Sequence, residues 1–190
     1  MIDENDGIYV VDAKHVFYLK SFNSPGKRLN LPSALLGYAR SLSIMEDKVY
    51  IINSSKGNII RIDDIESSSF TVINTSAHKA DDVAGAFDRT GLILTSVAKT
   101  GDYYYGSNYY TLSYAKGFDP DKMKFIRWKT WDDFSNGKFE DLSDRLRPGQ
   151  IPYFLANKDR NLLVAVYNHE APCTDDTVLM LMESDFHTTP

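Results

Sequence analysis

Four stretches of this 190-residue chain repeat one pattern: a polar, acid-bearing turn, a short apolar run, a polar loop and a second apolar run. They read "DENDGIYVVDAKHVFYLKSF" from Asp3, "MEDKVYIINSSKGNIIRID" from Met45, "FDRTGLILTSVAKTGDYYYGSNYYTLSY" from Phe87 and "NKDRNLLVAVYNHEAPCTDDTVLMLM" from Asn157. Each first run is rich in Ile, Val, Leu or Tyr, which fit a pleated, half-buried strand. The turns at Glu4–Gly7, Glu46–Lys48, Asp88–Gly91 and Asp159–Asn161 hold residues suited to tight reversals. This recurrence constrains the fold more than any single motif, because one such unit buries its apolar faces only against its neighbours.

The first apolar residues after the turns, Ile8, Val49, Leu92 and Leu162, lie 41, 43 and 70 residues apart (49 − 8, 92 − 49, 162 − 92). The first two intervals match the roughly 40–45 residues of a four-stranded propeller blade. The third accommodates an insertion, for which Lys116–Gln150 is the candidate. Within it "KFEDLSDRLR" places Phe139, Leu142 and Leu146 on one face of an amphipathic helix that stops at Pro148-Gly149. "SLSIM" (41–45), "VAGAF" (83–87) and "IPYFLA" (151–156) read as innermost strands, and "FTVINT" (70–75) and "KFIRWKTW" (124–131) as outermost ones. "LPSALLGYAR" (31–40), with Ser33 as cap and Leu35, Leu36 and Ala39 at helical spacing, reads as a helical connection.

In repeat length and strand order the chain resembles the β-propeller proteins, over most of its length. It carries no Gly-His…Trp-Asp pair, no Kelch double glycine and no sialidase-type Ser-x-Asp-x-Gly-x-Thr-Trp box, so the resemblance implies a fold without naming a family. The expectation is an all-β chain, residues 1–190 as one domain with 116–150 inserted, built of antiparallel four-stranded sheets in about three and a half blades. The first repeat begins at its turn, and the last has no outermost strand after Met182. Strand exchange between the termini, pairing with another chain, or membership of a longer propeller would each complete the blades. The competing architecture is an irregular antiparallel sandwich.

A net charge of −5, without a long basic run, argues against nucleic acid, where binding draws on clustered Lys and Arg. Cys173 is the only cysteine, so no intrachain disulfide forms, which fits a reducing compartment. The acidic N-terminus lacks signal-peptide features and no apolar run spans a bilayer, pointing to a soluble, cytoplasmic protein. The sequons at Asn53 and Asn74 are as frequent as chance provides.

"GDYYYGSNYY" (101–110) is the densest cluster of candidate binding residues. If "AKTGDYYYGSNY" (98–109) is a loop between the first and second runs, it lies at the same end of the blades as "DAKH" (12–15), "SSKGN" (54–58) and "NHEAPCTDD" (168–176). In propellers in general that end is the usual ligand face. Tyr103, Tyr104, Tyr105 and Tyr109 would then stand beside His169 and Glu170. Tyrosines suit recognition of protein or glycan, since each offers a rigid apolar plane and a hydroxyl. The alternative is a β-hairpin turning at Gly106-Ser107-Asn108, with tyrosines that pack the sheet.

Catalytic and cofactor signatures are weak. His15, His78, His169 and His187 lack metal-ligand spacing, and Asp119-Pro120-Asp121 lacks the ligand series of a calcium loop. The acidic pairs Asp81-Asp82, Asp132-Asp133 and Asp175-Asp176 suit turns as well as chemistry. "SPGKR" (24–28) fails as a phosphate loop, because Ser21 replaces its first glycine and Arg28 its hydroxyl residue. The favoured reading is a non-catalytic recognition or scaffolding module without cofactor or metal. The alternatives are an assembly subunit that oligomerises through open blade edges, and a propeller-type glycoside hydrolase using carboxylates from separate blades.

Overall fold

The structure, a computed structural model, describes residues 7–12, 14–36, 41–53, 58–74, 94–107, 124–146, 150–158, 161–168 and 177–183. Four antiparallel sheets follow one another along the chain. The first contains β1 (Ile8–Val11), β2 (Val16–Leu19) and β3 (Lys27–Leu29), and leads through the short helix α1 (Ser33–Leu36) into the second. The second contains β4 (Ser41–Met45), β5 (Lys48–Asn53), β6 (Asn58–Asp64) and β7 (Ser69–Asn74). In the third, β8 (Ser96–Thr100), β9 (Tyr103–Ser107) and β10 (Phe125–Trp128) are followed by helix α2 (Trp131–Ser135) and the outermost strand β11 (Glu140–Asp141). After a 3-10 turn at Ser143–Arg145, β12 (Gln150–Lys158), β13 (Asn161–Asn168) and β14 (Thr177–Glu183) form the fourth. Each sheet is an up-and-down meander, and β8 lies between β4 and β12.

The sheets stack face to face. Successive side chains of a strand point to opposite faces, and β5 uses both. Val49 and Ile51 pack with Tyr9, Val16 and Leu29 of the first sheet, while Tyr50 and Ile52 pack with Val97, Ile126 and Trp128 of the third. β9 behaves likewise. Tyr104 joins the core shared with the second sheet, and Tyr105 joins Leu155, Leu162 and Val164 of the fourth. Strands buried on both sides read as continuous apolar or aromatic runs, which accounts for "VYII" and for the tyrosines.

The strands "SLSIM" and "IPYFLA" lie in β4 and β12 as expected, residues 70–74 of "FTVINT" lie in β7, and Thr75 and "VAGAF" lie outside the described residues. The third repeat departs from the expected register. Its first strand is Ser96–Thr100, and Gly101-Asp102 is the two-residue turn into β9, so Thr100 pairs with Tyr103 as Met45 pairs with Lys48. Residues 98–107 of the run 98–109 are therefore strand, turn and strand rather than loop, and Asn108 and Tyr109 lie outside the described residues. Gly106 and Ser107 are no hairpin turn either, since they lie within β9 opposite Ile126 and Phe125. Phe125–Trp128 is a third strand, with β11 outside it.

The amphipathic helix over 138–147 is replaced by β11 and the 3-10 turn, because Asp141 and Glu140 pair with Ile126 and Arg127. Leu142 and Leu146 still reach the core, against Tyr105 and Leu155, whereas Phe139 remains exposed. The helix forms earlier, where the Thr130 hydroxyl accepts from the Asp133 amide and caps Trp131–Ser135.

β9 passes close beneath an aromatic cluster at Gly106. A Cβ there would meet Leu94 Cδ2 at 2.8 Å and Trp128 Cζ3 at 2.9 Å. Trp128 is held in turn by Phe134, at a ring separation of 4.7 Å, so it has little freedom to retreat. Gly106→Ala is expected to destabilise the fold by about 1–3 kcal/mol through overpacking, measured as a lower midpoint in urea unfolding.

Candidate functional site

The tyrosines of 103–105 occupy three environments. Tyr104 is 5% exposed and Tyr105 fully buried, one in each interface of the third sheet. Tyr103 is half-buried, with the Arg127 guanidinium 4.5 Å and the Lys129 ammonium 5.5 Å from its ring centre. Alternation along β9 makes Tyr104 and Tyr105 packing residues. Tyr103 alone of the three keeps substantial contact with solvent.

Tyr104 also anchors a polar network. Its ring stacks on Trp128 at 5.9 Å and lies 5.0 Å from Trp131. Its hydroxyl donates to Glu46 Oε2 at 2.6 Å, and Lys99 Nζ donates to Glu46 Oε1. Glu46 and Asp47 form the β4–β5 turn with φ of 52° and 57°, the left-handed pair of a two-residue hairpin. The bonds from Lys99 and Tyr104 hold the Glu46 carboxyl below the usual carboxylate range, while burial and Glu46 push the Tyr104 phenol well above its ordinary value. These bonds join the first-to-second-strand turns of sheets two and three at one end of the stack.

The same end bears a cleft of about 340 Å³ between sheets one and two. Tyr9 and Tyr18, with ring centres 5.0 Å apart, line it on one side, and Asp47, Asp63, Asp64 and Glu66 line it on the other. Most of these acids already serve the fold. Asp63 accepts from Arg61 Nε at 2.6 Å and Thr71 Oγ1 at 2.7 Å, Asp64 from the Ser67 amide at 2.6 Å, and Glu66 from Lys27 Nζ at 2.8 Å. Burial alone would raise Asp63, but the Thr71 and Arg61 bonds outweigh it and hold it low. Carboxylates held low are poor proton donors near neutral pH, where general acid catalysis needs a poised group. Among the described residues no three His, Cys, Asp or Glu side chains group to hold a metal.

At the opposite end β5, β9 and β13 finish and β6, β10 and β14 begin. In the first sheet the turn from β1 to β2 lies there, and in it Asp12 Oδ1 accepts from the amides of Lys14 and His15 at 2.6 Å each and Oδ2 contacts His15 Nδ1 at 3.2 Å. The chain leaves β9 at Ser107 and re-enters β10 at Phe125, and it leaves β13 at Asn168 and re-enters β14 at Thr177. Tyr109, His169 and Glu170 fall in these two connections and lie outside the described residues. Sequence reading missed Glu46 and Lys99. They are 53 residues apart and meet only because two sheets pack, so no local spacing announces them.

No family model matches the chain, and neither does any curated protein. Solved structures do. A catalytically inactive virginiamycin B lyase from Staphylococcus aureus, crystallised with quinupristin, superposes with a TM-score of 0.52 at 11% identity, covering 98% of this chain and 55% of that one. A streptogramin B lyase matches with a TM-score of 0.52 at 11% identity, over 96% of this chain and 53% of that one. Together with the blade-like sheets, these matches decide the architecture. The fold is of the β-propeller type. At this identity the likeness concerns fold alone, and the chain spans about half the length of these propeller neighbours. No helix among the described residues is long and apolar enough to cross a membrane.

Because Glu46 is ionised more readily in the folded state than in the unfolded chain, its contribution is present above the ordinary carboxylate pKa. It is lost as pH falls through the lower folded value. Urea unfolding between about pH 3 and pH 7 should therefore show a shallower acid-side loss for Glu46→Gln than for the native chain. Tyr104→Phe keeps the ring stack and removes one donor, with an expected cost of about 1–2 kcal/mol at neutral pH.

Proposed function

We propose that this chain is a non-catalytic recognition module, a β-propeller-type scaffold presenting the connections 108–124 and 169–176 to a protein or glycan partner. One observation carries the reading. The connections from β9 to β10 (108–124) and from β13 to β14 (169–176) are longer than those from β1 to β2 (12–15) and from β5 to β6 (54–57). These longer connections hold Tyr109, Tyr110, His169, Glu170, Asp175 and Asp176.

The third and fourth sheets are packed neighbours through Tyr105, Leu155 and Leu162, so their connections start from strands that share one core. Binding residues carried on loops above a rigid sheet scaffold are a common arrangement. In this reading Tyr109 and Tyr110 supply flat apolar planes with hydroxyls. His169 and Glu170 supply hydrogen-bonding and charged groups that fix orientation. Tyr103, under Arg127 and Lys129, is a peripheral member, and Tyr104 and Tyr105 support the site by holding β9 between two sheets. The engagement of Glu46, Asp63 and Asp64 with internal partners favours binding over hydrolysis. A lyase's chemistry is not carried across from the fold neighbours, since function resides in a site rather than in a fold.

The reading is tested on a glycan array with the native chain and with Tyr109→Ala and His169→Ala. Selective binding by the native chain that weakens by roughly tenfold or more in either variant supports it. Unchanged binding by folded variants places the site elsewhere. A blank array for the native chain removes the glycan partner and leaves the protein one.

A further inference from the structure

Asn136-Gly137 is the one Asn-Gly step in the sequence, and it lies where helix α2 ends. At such a step a chain readily attacks itself, because glycine has no side chain to shield its amide nitrogen. The Gly137 nitrogen bonds to the Asn136 side-chain carbon Cγ and gives up its proton, and the Nδ2 group leaves as ammonia. Water then opens the resulting succinimide ring at one of its two carbonyls, leaving aspartate or isoaspartate.

Both residues are exposed, so water reaches them. The fold nevertheless holds them in the wrong geometry for ring closure. Asn136 has φ of −92° and ψ of 8°, so the Gly137 nitrogen nearly eclipses the nitrogen of Asn136 itself. Closure requires it to eclipse Cβ, which tetrahedral geometry places about a third of a turn away. The reacting groups are also tied down. The Gly137 amide donates to the Phe134 carbonyl at 3.0 Å and the Lys138 amide to the Asp133 carbonyl at 2.7 Å. With Gly137 at φ of 72°, these are the paired bonds of a Schellman cap. Asn136 Nδ2 donates to the Asp132 carbonyl at 2.8 Å, which holds the side-chain amide against the helix end.

We propose that Asn136 is a site of self-modification by deamidation that the α2 cap keeps closed, so that conversion requires the cap to open. Rotation of the Gly137 nitrogen towards Cγ breaks its bond to Phe134, and loss of ammonia removes the donor to Asp132. Neither product rebuilds the cap. Isoaspartate lengthens the main chain by one carbon and takes the Gly137 and Lys138 amides out of register with their acceptors. Aspartate is an acceptor only, and sets a carboxylate against the Asp132 carbonyl oxygen. Phe134, which packs on Trp128 at 4.7 Å, is then held less firmly. The site is independent of the connections proposed for recognition.

The test incubates the 190-residue chain at mildly alkaline pH, in native buffer and in guanidinium chloride above its unfolding midpoint. Conversion at Asn136 is followed by mass spectrometry of the proteolytic peptide that contains it. Conversion is expected to be slower by roughly tenfold or more in native buffer, where it draws on local opening. Thr130→Ala removes the bond that caps the start of α2, and is expected to speed conversion in native buffer about fivefold. Gly137→Ala, measured in guanidinium, is expected to slow it, as attack by the backbone nitrogen requires. Equal rates in the two solvents, no conversion in guanidinium, or indifference there to Gly137→Ala overturns the proposal. So does an unchanged rate in native buffer for a Thr130→Ala chain that remains folded by far-UV circular dichroism. If that variant unfolds, the two-solvent comparison of the native sequence decides alone.

Discussion

Burial of the second strands on both faces is the constraint from which most of this structure follows. β5 and β9 each sit in the middle of a stack, and each sends alternate side chains into two different cores. Val49 and Ile51 answer to one neighbour and Tyr50 and Ile52 to another; Tyr104 and Tyr105 divide in the same way. A one-residue slip in either strand would exchange these sets and mismatch both interfaces at once. The tight turns protect the register. Glu46-Asp47 adopts left-handed geometry, and Gly101, with φ of 55°, serves the corresponding turn of the third sheet.

Large aromatics make such an arrangement economical. Tyr50, Tyr104, Trp128, Trp131 and Phe134 meet where the second sheet, the third sheet and α2 converge, with rings stacked or tilted at 4.7 to 6.1 Å. Each buries a large area with few rotatable bonds, and Tyr104 adds a hydroxyl that reaches the Glu46 carboxylate. Gly106 is the geometric consequence, because the chain has to pass Trp128 too closely for any side chain.

The two ends of the stack differ in character. At the end of Glu46 the polar groups are engaged with one another: Lys99 with Glu46, Arg61 and Thr71 with Asp63, and Lys27 with Glu66. That end is built for holding sheets together. The other end carries the connections whose length varies between sheets, and variable loops on an invariant frame are where propeller-type proteins differ from one another. The fold shared with two lyases therefore constrains the frame without assigning a reaction.

Strand content, the recurrence of turn and apolar run, and the positions of β4, β7 and β12 were legible in the chain because they depend on local alternation and turn chemistry. The third repeat was misread, since "TSVAKTGDYYYGS" contains two strands whose separation depends on the brief Gly101-Asp102 reversal, and a run of tyrosines looks alike in a loop and in a strand. The face each tyrosine takes and the meeting of Glu46 with Lys99 arise only when sheets pack. Periodicity assigns alternate residues to two faces, but whether a neighbouring sheet or solvent meets each face is a long-range outcome.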